Sequence, residues 1–405
     1  MLSIEGSPAA TPRPGRPTFE VADVFRAHGE TYREHHVLSG DQLKVMRAIE
    51  RCRTEALGGH VDVCPQCPYE RPAYNSCRNR HCPKCQSLVQ ARWVEQRMAH
   101  ILPTPYFHVV FTIPAELRPL ARANREALFN LLFACASKAL LQLGDDPQRL
   151  GGKLGITAVL HTWTRELAFH PHLHCIVTGG GLAPGDDRWI ASRRRYLFPV
   201  KVMGSLFRGK FLDGLRRLHA SGALKSTDAT DTAASDAAFS KLIARLYTKD
   251  WVVYAKRPFA GPEHVFRYLG RYTHRVGISN QRILAIDHTG VCFATKNGRS
   301  VTLPHDVFIG RFLDHVLPTG FTKIRHFGLH ASRNVKSRLP KAREILLTTS
   351  PPARSPSSQR EPTTPRTWQE LLRELTGIDL EHCPICKAAL VKQPLAYLSP
   401  RRDSS

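Results

Sequence analysis

The stretch FHPHLHCIVTGGG, Phe169–Gly181, sets histidines at alternate positions, His170, His172 and His174, ahead of a short apolar run and three glycines. Side chains alternate faces along a strand, so residues two apart project the same way. As a strand, the stretch carries its imidazoles on one face and anchors the other with Leu173. Two imidazoles on one face can hold a divalent metal, and they can equally mark a polar surface strand. The stretch alone does not separate the two. Just upstream, KLGITAVLHTWTREL reads as a second strand, close enough to form an antiparallel pair with the first. A hairpin of the two would bring His161 alongside the histidine face.

The neighbouring segments extend this pair into a sheet. YFHVVFTIP reads as a buried strand stopped by Pro114, and DWVVYAKRPF as another. Between them, REALFNLLFACASKALLQLG has the pattern of a buried amphipathic helix ending at Gly144. GPEHVFRYLGRYTHRVG reads as a helix with Pro262 in its first turn. RILAIDHTGVCFATKNGRSVTLP reads as a hairpin turning at Asn297-Gly298. This order predicts an α+β fold, a palm built on an antiparallel sheet, over residues 101–345. The small, polar segment 218–238 reads as a loop inserted in it.

A flexible arm, 1–18, and a helical, cysteine-rich domain, 19–100, precede the palm. That domain opens with two helices, VADVFRAHGETYREHH and SGDQLKVMRAIERCRTEAL, the second with Ser39 as its cap. Residues 346–366 are rich in Pro, Ser and Thr and read as a disordered linker. A short helix and the sequence HCPIC occupy 367–405. No internal repeat is present.

Over 405 residues, Lys and Arg number 58 against 34 Asp and Glu, a net charge of +24. Such an excess calls for a polyanionic partner, and nucleic acid is the expected one. A membrane-surface partner would want a basic amphipathic helix, and none stands out. No run of 18 apolar residues suggests a membrane span. MLSIEGSPAATPRPGRP lacks a secretion signal, so a cytoplasmic location is expected.

Eleven cysteines in such a chain argue for metal rather than disulfides. Cys64-x2-Cys67 and Cys82-x2-Cys85 are two knuckles whose four thiolates would satisfy tetrahedral zinc. Cys52, His60, Cys77 and His81 are surplus, enough to fill a second site. Pro68 removes a backbone N–H from the first knuckle without preventing zinc from binding. Flanked by Arg78 and Arg80, the cluster reads as a structural, DNA-docking zinc module. Cys383 and Cys386 supply two further thiolates, with His382 beside them as a candidate ligand, and need partners from elsewhere in the chain. Cys135, Cys175 and Cys292 read as small core residues.

In RYLGRYTHRVGISN, Tyr268 and Tyr272 lie four apart, one turn of a helix. Paired aromatics on a helix usually mark its core face. Here Arg267, Arg271 and Arg275 make the surroundings basic, which suits phosphate. A metal on His172 and His174 could polarise a scissile phosphate, and a tyrosine on a nearby helix could attack it. The third ligand is either His161 or His264.

Taken together, VADVFRAHGETYREHH, CRTEALGGH, YNSCRNRHCPKCQ, FHPHLHCIVTGGG, YLGRYTHRVGISN and FTKIRHFGLHASR resemble the IS91-type transposases, the two-tyrosine members of the HUH endonuclease superfamily. The resemblance covers most of residues 20–340. It implies that His172-Leu173-His174 is the HUH motif, with His161 as third histidine, and that Tyr268 and Tyr272 are the nucleophiles. It implies a ferredoxin-like palm, Mg²⁺ or Mn²⁺ at the histidines, and nicking and rejoining of single-stranded DNA in rolling-circle transposition. Two other readings stay open: an inactive, zinc-dependent DNA-binding regulator, and a replication initiator or relaxase. The absence of a GxxxxGK[ST] phosphate loop speaks against a large relaxase. His326 and His330 read as structural or DNA-facing.

Overall fold

The computed structural model describes residues 17–98, 100–193, 196–225, 235–256, 277–349, 367–377 and 379–395. The chain forms two compact units. The first comprises Met1–Leu88, Ile278–Leu313 and Thr363–Ser405, and the second Val89–Gly277 and Asp314–Pro362.

In the second unit, strands β3 (Tyr106–Thr112), β4 (Lys153–Trp163), β5 (Phe169–Leu182), β7 (Val253–Lys256) and β11 (Ile324–Gly328) form one sheet in the order β11-β4-β5-β3-β7. Every neighbouring pair is antiparallel, and β6 (Trp189–Ala191) adds to the end of β5. The expected hairpin of KLGITAVLHTW with FHPHLHCIVTGGGL is therefore β4 and β5, with His161 directly opposite His172. The two faces differ in kind. One presents Phe107, Val109, Phe111, Ile156, Ala158, Leu160, Leu173, Cys175 and Val177 to the main core. Helices α5 (Arg125–Asp145) and α6 (Val200–Ala220) cover that face with Phe129, Phe133, Phe207 and Phe211. Rings such as Phe111 and Phe207 meet edge to face at 5.0 Å, the geometry that aromatic quadrupoles favour. Among the described helices, only α5 is long and apolar enough to cross a membrane, and most of its apolar surface is spent in this core.

The other face carries the histidines. Helix α3 (Gln86–Met98) covers part of it, where Trp93 and Met98 pack on Tyr106, Val159 and Ile176. The three glycines that end the opening stretch have a steric reason. Gly180 has φ 151°, and a Cβ there would sit 2.5 Å from Trp189 Nε1. A Cβ on Gly181 would meet the Gly152 carbonyl at 2.5 Å. Glycine here lets β4 and β6 close on both sides of β5.

In the first unit, α1 (Val21–His35) and α2 (Gly40–Arg51) pair, and Ser39 caps α2 through a capping box with Gln42. Strands β1 (Gly59–Val63) and β2 (Glu70–Tyr74) form a small sheet completed by β12 (Val391–Pro394), which pairs with β1. A second three-stranded sheet joins β8 (Ile283–Asp287), β9 (Gly290–Ala294) and β10 (Ser300–Leu303). Asn297 (φ 58°) and Gly298 (φ 73°) turn β9 into β10, as the Asn-Gly pair predicts.

The units do not follow the linear division. Residues 278–313, read above as part of the 101–345 palm, belong with the N-terminal unit. Phe293 of β9 packs on Phe308 of α8 (His305–Leu313), and Phe312 of the same helix meets Phe25 of α1 at 5.3 Å. The C-terminal helix, Trp368–Thr376, and the HCPIC segment join that unit too. At the proposed 218–238 loop, α6 continues to Ala220 and the next helix begins at Asp236. The helix Arg338–Thr349 runs past the expected start of the 346–366 linker.

Candidate metal centres

Three imidazoles converge on the face of the large sheet opposite the main core. His161 comes from β4 and His172 and His174 from β5, and their ligand atoms all lie within 4.8 Å of one another. The period of two aims His172 and His174 the same way, and the β4–β5 register supplies His161 from alongside. His161 is buried, and its ring centroid lies 4.3 Å from that of His174. His170 points the same way, but its Nδ1 is engaged by Arg118 at 2.8 Å, and it stays outside the cluster.

Hydrogen bonds orient the rings. His172 Nδ1 donates to the His170 carbonyl at 2.7 Å, which leaves its Nε2 with a lone pair. His174 Nδ1 lies 2.7 Å from Nε2 of His108, on β3. When His174 is the donor in that pair, its own Nε2 is also a lone pair. The two Nε2 atoms face each other at 3.1 Å. Two opposed lone pairs at that distance repel, and a shared cation relieves the repulsion. Burial pushes His172 and His108 down to about 4 and His174 well below the ordinary imidazole value. All three are thus neutral at pH 7, the form in which imidazole binds metal. The donor set fits a divalent ion with positions left for water or phosphate oxygens.

His108 went unnoticed in the sequence because its strand reads as a plain apolar run. Tyr268, Tyr272 and the competing ligand His264 lie outside the described residues. His326 and His330 sit further along the same face, both against Thr157 Oγ1 at 3.1 and 3.2 Å, away from the three-histidine cluster.

Eight cysteines of the first unit form two groups of four thiols, Cys52, Cys77, Cys82 and Cys85 in one and Cys64, Cys67, Cys383 and Cys386 in the other, with Cys292 in neither. The grouping differs from the simple expectation, in which the Cys64/Cys67 and Cys82/Cys85 knuckles share an ion. Cys52, at the end of α2, takes the place expected of the first knuckle, and Cys77 joins it. Sulfur separations of 3.5 Å (Cys52–Cys85) and 3.6 Å (Cys77–Cys85) are far beyond a disulfide bond. They approach the spacing of thiolates about 2.3 Å from a tetrahedral zinc, which is about 3.8 Å. Hydrogen bonds from Cys52, then Cys77 and Cys82, hold Cys85 well below the usual thiol range. His60 and His81 belong to neither group.

Two family models match the chain. One, "Transposase zinc-binding domain", covers residues 24–113, and the other, "Putative transposase", covers residues 155–338. The first match spans Cys52 through Cys85, and the second spans the three histidines and both tyrosines. "Putative transposase y4qJ" of Sinorhizobium fredii (strain NBRC 101917 / NGR234) is 46% identical over 374 residues, covering 91% of this chain and 92% of the relative. "Transposase for insertion sequence element IS801" of Pseudomonas savastanoi pv. phaseolicola is 27% identical over 407 residues, covering 96% of this chain and 92% of the relative. No solved structure matches.

Proposed function

Given that this chain belongs to the IS91 family of transposases, we propose that it nicks and rejoins single-stranded DNA at element ends through a 5′-phosphotyrosine intermediate, on an HUH-type palm. The observation that carries this reading is the convergence of His161, His172 and His174 on one sheet face. A divalent ion held there, Mg²⁺ or Mn²⁺, would polarise the scissile phosphate and offset charge developing on its oxygens.

The chain's own groups do the rest. The phenolic oxygen of Tyr268 or Tyr272 attacks phosphorus as it gives up its proton. The P–O3′ bond breaks, the electron pair leaves with the 3′ oxygen, and that oxygen takes up a proton. One strand then carries a free 3′-OH, and the other is held on tyrosine through its 5′ phosphate. Attack of a 3′-OH on that phosphotyrosine reverses the chemistry and rejoins DNA, so two tyrosines allow one link to be resolved while another forms. The excess of cations, +24 over the chain, draws the phosphate backbone to the protein. The zinc-binding domain shapes the first unit and presents Arg78 and Arg80, beside Cys77 and Cys82, as a DNA-docking surface. The intact three-histidine cluster favours this reading over an inactive regulator.

The test uses a labelled single-stranded oligonucleotide carrying an element terminus, with Mg²⁺ or Mn²⁺ and a denaturing gel. A metal-dependent protein–DNA adduct is expected, and the Tyr268→Phe/Tyr272→Phe double variant should form none. Adducts at wild-type yield from that variant would sink the proposal.

His108 has a positioning role in the same site. With its Nε2 2.7 Å from His174 Nδ1, it can accept from that nitrogen and so hold the tautomer that leaves His174 Nε2 for metal, as partners behind metal-bound histidines do. His108→Ala should weaken Mn²⁺ binding by about 10–100-fold, measured by titration calorimetry on DNA-free protein. Unchanged affinity would reduce the contact to packing.

A further inference from the structure

We infer that Cys64, Cys67, Cys383 and Cys386 form a second tetrathiolate zinc site, through which the C-terminal tail is built into the N-terminal module. Nothing in the two family matches reaches the second pair of thiols, which lies beyond residue 338. The inference does not depend on the histidine site or on DNA cleavage.

Three observations carry it. The first is the thiol geometry. Cys64 and Cys386 sulfurs lie 3.3 Å apart, Cys67 and Cys383 3.6 Å, and Cys67 and Cys386 3.8 Å. Four sulfurs from two CxxC turns, each within reach of the others, suit a tetrahedral, closed, structural zinc site with no position left for substrate.

The second observation is how the backbone delivers those sulfurs. Strand β12 pairs antiparallel with β1, Val391 opposite Val63 and Pro394 opposite His60. The first knuckle follows β1 directly, and the tail's knuckle sits just before β12. His382 bridges Ala389 across that second turn, and Cys383 N–H donates to the Ala388 carbonyl. Arg71 of β2 fixes the approach. Its guanidinium donates to the buried Asp62 carboxylate and to the carbonyls of Asp379 and Leu380, just ahead of Cys383.

The third observation is what the tail lacks. Among the described residues of the tail, Ile385 is 68% exposed, Val391 51% and Trp368 37%, while the buried apolar residues are Leu371 and Cys383. The described residues of the tail bury too little apolar surface to hold it in place by packing. Metal ligation supplies what small domains of this kind otherwise lack. The sulfurs are thereby more than a by-product of strand pairing.

Zinc content of the full-length protein, measured by plasma mass spectrometry after removal of loosely bound metal, should be two per chain. Cys383→Ser/Cys386→Ser should hold one. In that variant Cys64 and Cys67 should become reactive to alkylation while Cys52, Cys77, Cys82 and Cys85 stay protected. One zinc in the wild type, or two in the variant, would overturn the site, and iron in place of zinc would overturn the metal. An independent measurement leaves every cysteine native. A protease site placed within residues 350–366 is cut, and the released tail is followed by gel filtration. The tail should co-elute with the body until a chelator strips the zinc. Separation without chelator would overturn the inference.

Discussion

His174→Ala should lower the rate of metal-dependent adduct formation by about a thousandfold, the scale on which removing one preorganised electrostatic partner of a reacting phosphate or acyl group is felt. The reason lies in the geometry of one ring. His174 is flanked on both sides, by His108 at Nδ1 and by His172 at Nε2. Its loss removes a ligand atom and also the hydrogen-bond partner of His108. His170→Ala is the matched control. It lies on the same strand, projects the same way and stays outside the cluster, and its rate should remain within about tenfold of wild type because only orientation at the rim is disturbed. Single-turnover gels of the two variants side by side decide the matter. Equal losses would mean that the alternating histidines act as a basic strip and not as a metal site.

The second large effect is acid sensitivity of the second unit. His315 and His330 are buried and held down to about 3, and His326 to about 4, with burial the leading cause in each. His315 is fully engaged as a neutral ring, with Nε2 donating to the Leu167 carbonyl and Nδ1 accepting from Thr162 Oγ1. A second proton on Nδ1 would break that pairing. Because the folded pKa lies below the ordinary 6.5, the unfolded chain takes up protons first as pH falls. The contribution to stability is complete above about pH 6.5 and is lost progressively toward pH 3–4. Each histidine costs about 1.4 kcal/mol per pH unit through that window, so three cost about 4. Against a total stability of about 5–15 kcal/mol, the unit should unfold between about pH 5 and 4. Tryptophan fluorescence reads it selectively, because Trp93, Trp163, Trp189 and Trp251 belong to this unit and only Trp368 to the other. A melting midpoint unchanged between pH 7 and pH 5 would refute the argument.

Much of this was legible in the residues. Alternation predicts the β5 face, the proximity of KLGITAVLHTW predicts its partner, and together they bring His161 to His172 and His174. Ser39 and Asn297-Gly298 act as their local chemistry dictates. What stayed hidden depends on distant registers. His108 lies opposite Ile176, two residues along the strand from His174, and an apolar run says nothing of which neighbour a buried histidine will face. The stretch 282–304 reads as a hairpin and forms three strands with the expected turn at Asn297-Gly298, but periodicity does not say which core Phe293 will enter, and the helix that carries Phe312 went unread. The two knuckles at Cys64 and Cys82 look made for each other by spacing alone. Their separation into different groups is decided by the pairing of β1 with β12.

That pairing also orders events during synthesis. Cys52, Cys77, Cys82 and Cys85 leave the ribosome almost together, so their group can close while most of the chain is still unmade. Cys64 waits for Cys386, 322 residues later, which at 5–20 residues per second is about a quarter of a minute to a minute. Throughout that interval Cys64 and Cys67 are without their final partners and the edge of β1 is bare. A nascent or shortened polypeptide therefore carries an N-terminal module that is visibly unfinished, and the finished form certifies that translation has passed the whole second unit.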